Sequence, residues 1–98
     1  MEKLEIMARV ERQKNGRLVA VFPYNVGLDG AVCVFNGEHS FTDWSWIMRH
    51  TKVANEQQVT ELLGIMEKFG YKIDEIKVIK KRNYDKYLRE FYKLMKVK

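Results

Sequence analysis

A single cysteine, Cys33, stands in 98 residues. It excludes an internal disulfide and fits a reducing compartment, because small secreted domains usually depend on several bridges. Proline is equally rare. Pro23 is alone, and no Ser/Gly-rich tract or internal repeat is present. The sequence therefore offers no linker, and one domain over residues 1–98 is expected. A chain of this length buries roughly 65% of its unfolded surface, enough for one modest core. Long hydrophobic runs are missing too. Leu18–Phe22 and Ala31–Phe35 are the longest, at five residues each, against the roughly 20 that span a bilayer. The first twelve residues carry Glu2, Lys3, Glu5, Arg9, Glu11 and Arg12, unlike the apolar stretch of a signal peptide. These absences predict a cytoplasmic protein with no membrane partner.

The groups that do chemistry are equally sparse. A Cys–His pair needs an exposed thiol of lowered pKa, yet Cys33 sits inside Ala-Val-Cys-Val-Phe, the setting of a small buried hydrophobe. His39 and His50 lie eleven residues apart, and with one cysteine they match no zinc spacing. Gly27 and Gly30 flank Leu28-Asp29 without the Lys-Ser/Thr of a P-loop or the third glycine of a dinucleotide fingerprint. Asp74 and Glu75 are neighbours, so on a strand they face opposite ways. The expectation is a non-enzymatic domain with no cofactor and no metal.

What is present is periodicity. Leu4, Ile6, Ala8 and Val10 alternate with charged or longer residues, the period of a half-buried strand. Asn15-Gly16 and the run Arg17–Phe22 follow, a strong hairpin signal, with Pro23 expected to end the second strand. Ala31–Phe35 is apolar on both faces and reads as a central strand closed by Asn36-Gly37. Phe41–His50 is ambiguous. Trp44, Trp46, Met48 and His50 alternate as on a strand, but a short helix from Thr42 also fits.

Asn55–Phe69 reads as a helix, with Val59, Leu62, Leu63, Met66 and Phe69 on one stripe. Asn55 with Gln58 forms a capping box, and Gly70 stands at the C-terminal stop. Tyr71–Ile79 reads as a strand. Asn83 can cap a final helix over about 83–97. The expected fold is α+β: an antiparallel sheet of four or five strands with two helices on one face, in the order βββ(β)αβα.

Charge is distributed unevenly. Residues 77–98 hold nine Lys/Arg and two acids, a net of +7; residues 1–76 hold nine and eleven, a net of −2. In the last helix Tyr84, Tyr87, Leu88, Phe91, Tyr92 and Met95 share one side, and Lys86, Arg89, Lys93 and Lys96 the other. The apolar side can cover the sheet or enter a lipid interface; the sheet's need for cover favours the first. Lys80, Lys81, Arg82, Lys86, Arg89 and Lys93 can then meet phosphates. Trp44 and Trp46 can stack on unpaired bases where exposed, or complete the core. Nucleic acid is the partner this pattern predicts. A host protein is the alternative.

The pieces Phe22-Pro23, Gly30, Cys33, Gly37-Glu38-His39-Ser40 and Thr51-Lys52-Val53-Ala54, with the helix that runs into Gly70-Tyr71, cover about the middle half of the chain. In these it resembles a group of small uncharacterised proteins encoded in bacterial genomes, phages and other mobile elements. The resemblance implies a phage or plasmid accessory protein. It carries over no catalytic motif and no functional residue.

Overall fold

A computed structural model describes residues 3–13, 16–27 and 29–96. The elements run β1 (Leu4–Glu11), β2 (Leu18–Val26), β3 (Val32–Phe35), β4 (His39–Thr42), α1 (Trp44–His50), β5 (Thr51–Val53), α2 (Glu56–Lys68), a 3-10 turn (Ile73–Glu75), β6 (Ile76–Ile79) and α3 (Tyr84–Lys96). One mixed sheet has the order β4-β3-β2-β1, and the outer edge of β1 is shared by β5 and β6. All pairings are antiparallel except β1 with β6, where Leu4 to Met7 lie beside Ile76 to Ile79 in parallel.

The fold is α+β and mainly antiparallel, as expected, with more parts than the pattern predicted. Among the described residues there are six strands rather than four or five, and three helices rather than two. Nor do the helices share a face. Ile6, Ala8, Ala20, Phe22, Cys33 and Phe35 pack with Leu62 and Met66 of α2 on one side. Met7, Val19, Val21, Val32 and Val34 pack with Ile47 of α1 and Tyr87 of α3 on the other. β1–β3 are apolar on both faces, so each face needs a cover.

Other differences are local. Phe41–His50 is not one strand: β4 ends at Thr42 and α1 begins at Trp44. Pro23 does not end β2 but lies within it, buried, where the register with β3 shifts between Phe22 and Val26. A bulge is where proline's missing N–H costs the ladder least. In the expected strand Tyr71–Ile79, only Ile76–Ile79 pairs. Asn15 of the Asn15-Gly16 turn and residue 97 of the last helix lie outside the described residues. Glu11 N–H donates to Arg17 O at 2.9 Å across that turn. A Cβ at Gly16 would stand 2.0 Å from Glu11 O, so only glycine fits.

The caps formed as the sequence demands. Asn55 Oδ1 accepts from Gln58 N–H at 2.8 Å and Gln58 Oε1 from Asn55 N–H at 2.9 Å. At the other end Gly70 has φ +100°. Tyr71 N–H reaches Met66 O and Gly70 N–H reaches Glu67 O, the paired bonds of a Schellman stop. Asn83 Oδ1 accepts from Lys86 N–H to start α3. No described helix is long and apolar enough to cross a membrane.

Candidate functional site

Side chains on β1 alternate between the two covered faces. Ile6 and Ala8 point to α2; Met7 and Arg9 point to α1. Arg9 is therefore interior, at 7% exposure. Its Nε donates to Thr51 Oγ1 and its Nη2 to Thr51 O, both at 2.9 Å. Thr51 closes α1 and donates its own hydroxyl to Ile47 O. The C-terminal dipole of α1 thus faces the arginine, a favourable but partial compensation. Arg12 Nε donates to the same Thr51 carbonyl at 3.1 Å. Two guanidinium groups share one neutral acceptor, and the pKa of Arg9 is lowered first by burial and then by Arg12.

Arg9 and Met7 form the floor of a cleft of about 510 Å³. Trp44 and Met48, one turn apart on α1, make one wall. Val53 of β5 and Tyr84 of α3 close the apolar part, and Lys80, Lys81 and Arg82 make the cationic rim. No acidic residue lines it. The volume falls in the usual range of small-molecule sites, about 300–1,000 Å³.

Arg82 is held by aromatic faces. Its guanidinium lies 3.9 Å from the Trp44 ring centroid, 3.8 Å from that of Tyr87 and 5.5 Å from that of Tyr84. Such contacts contribute about 0.5–2 kcal/mol each, more when desolvated. They join α1 to α3 across the β6–α3 junction. Arg82 Nη1 is shielded from solvent and has no hydrogen-bond partner among the described residues.

Of the residues expected to bind, Lys80, Lys81, Arg82 and Trp44 meet at this cleft. The others stand elsewhere. Lys86 Nζ is 2.9 Å from Glu5 and 4.5 Å from the centroid of the Tyr24 ring. Lys93 pairs with Glu90 at 3.2 Å. Arg89 is exposed on α3. Trp46 stacks on His50 at 4.8 Å, and being two residues from Trp44 on a helix it points away from the cleft. Met48, Val53 and Arg9 were not singled out by sequence. For Arg9, the one available signal is its place opposite Ala8 and Val10 in a strand whose neighbours are apolar on both faces.

Across the sheet, Cys33 is buried and its pKa is raised by burial. His39 and Tyr71 share a 2.5 Å hydrogen bond on that side. Burial, then Cys33, raises the pKa of Tyr71. Among the described residues, no group of three acidic, histidine or cysteine side chains gathers to hold a metal ion. Comparisons with protein-family models, curated proteins and solved structures find no match.

Proposed function

We propose that this chain is a small binding module that engages single-stranded nucleic acid at the cleft between α1 and the β6–α3 junction. One observation carries the reading: Arg9, Lys80, Lys81 and Arg82 meet at one cleft with apolar and aromatic walls and no lining carboxylate. Cations serve phosphates, and the apolar and aromatic walls serve bases. The cleft has the volume of a small-molecule site, which favours unpaired nucleotides over a duplex. Binding rather than catalysis is supported by the separation of Cys33 and His39 from the cleft, on the opposite face of the sheet. The cytoplasmic setting belongs to the same proposal.

Anisotropy titrations with labelled single-stranded and duplex oligonucleotides at two salt concentrations test it. The expected result is micromolar single-strand binding that weakens steeply with salt, with duplex weaker. No binding at low salt overturns the reading.

A second reading is favoured by α3, which has no buried residue and leaves Tyr92 and Met95 at 55% and 42% exposure. On that reading the chain is a phage or mobile-element accessory protein, and this helix face docks on a host protein. A host partner captured in the presence of nuclease, and lost on Tyr92→Ser, supports it. Capture that disappears with nuclease overturns it.

A further inference from the structure

Building on the nucleic-acid reading, we infer that Arg9 receives the terminal phosphate monoester of a single strand. The cleft is thus a strand-end site rather than a groove that tracks a chain. Arg9 is more than nine-tenths buried and stands on the cleft floor. Its described bonds use Nε–H and one N–H of Nη2 on one neutral threonine, so Nη1 and the second N–H of Nη2, an end-on fork, have no acceptor among the described residues. The ion pairs among the described residues are Lys86–Glu5 and Lys93–Glu90, neither at the cleft. A buried cation without a carboxylate calls for an anion from outside.

The position of that cation selects the kind of anion. An internal phosphodiester has a nucleoside on each side, and bringing it to the floor of a 510 Å³ cleft would draw both inside. A terminal monoester has one flank. It carries about −1.5 to −2 charge at neutral pH and three acceptor oxygens, suited to a guanidinium fork. Lys80 and Lys81 at the rim then meet the next phosphates, and the first nucleoside rests on Met48, Val53 and Tyr84. Arg82, clamped between Trp44 and Tyr87, keeps the wall in place.

The test uses the full chain and three single strands of one sequence: 5′-phosphorylated, 3′-phosphorylated and hydroxyl at both ends. One phosphorylated strand should bind roughly tenfold tighter than the hydroxyl strand, the gain of one charge-assisted bidentate contact. Arg9→Lys, which keeps the charge and loses the fork, should bring that ratio close to one. Inorganic phosphate should displace the preferred strand better than chloride at equal ionic strength, a readout that stands even if Arg9→Lys does not fold. Equal binding of all three strands overturns the inference and leaves the nucleic-acid reading intact. No binding of any strand overturns that reading, and the inference with it.

Discussion

On the α2 side of the sheet, the buried cluster of Ile6, Phe22, Phe35, Leu62, Met66 and their neighbours holds no charge. On the α1 side, Val21, Val32, Val34 and Ile47 are just as well buried, yet Arg9 lies among the covered residues and Arg82 is clamped by rings. The same strands build both faces, so backbone geometry does not explain the contrast. The covers do. α2 is a thirteen-residue helix with a full capping box and a Schellman stop, able to seal its face. α1 has seven residues and α3 buries none fully. Between these two imperfect covers a cleft stays open.

The comparison can be broken from either side. The largest effect is expected from Phe35→Ala on the sealed face, which should lower unfolding stability by about 3–5 kcal/mol in urea titrations. A loss under about 1 kcal/mol would mean that the α2 side is no better packed than the other. Next comes Arg82→Ala, which removes the contacts to Trp44 and Tyr87. It should destabilise by about 1–2 kcal/mol and also weaken single-strand binding, a double consequence absent for Phe35.

A pH titration sharpens the contrast further. Cys33 and Tyr71 on the sealed face have raised pKa values because burial disfavours their anions. The unfolded chain therefore releases these protons first. It binds fewer protons than the native state once pH passes the ordinary thiol range, roughly 8.5, and stability falls from there upward. Urea midpoints at rising pH should decline less steeply in Cys33→Ala. An identical slope would remove the thiol from the account.

Smallest in stability is the pair Lys80→Gln with Lys81→Gln on the open face, expected within about 0.5 kcal/mol of the parent. Binding should nevertheless lose about 0.7 from its logarithmic salt slope for each phosphate contact removed. Unchanged affinity and slope would leave the rim without a role.

Much of the α2 side could be read from the sequence. The alternation Leu4, Ile6, Ala8, Val10, the stripe through Leu62 and Met66, and the caps at Asn55 and Gly70 each act locally, so each leaves a local mark. The open side was less legible. Trp44-Ser45-Trp46-Ile47-Met48 satisfies both periods over so short a span, and what selects the helix is Ile47 finding Val21 and Val34, a contact distant in the chain. Arg9 reads as a solvated strand residue until one knows that a helix covers the second face. Lys80, Lys81 and Arg82 were legible as a charged junction. Their assembly with Trp44 was not, since it depends on how α1 and α3 dock.

The position of β1 has a kinetic consequence. It is hydrogen-bonded along both edges, and its parallel partner β6 begins at Ile76, opposite Leu4. β1 thus cannot complete its ladder until Ile76–Ile79, distant in sequence, reaches it. Pairings so distant in sequence carry a loop-closure cost that slows folding relative to a domain of local contacts alone. Through that interval β1 is paired with β2 on one edge, while on the other Leu4–Met7 lacks its partner. Lys77, which lies beside Glu5 in the finished ladder, belongs to the strand that closes it.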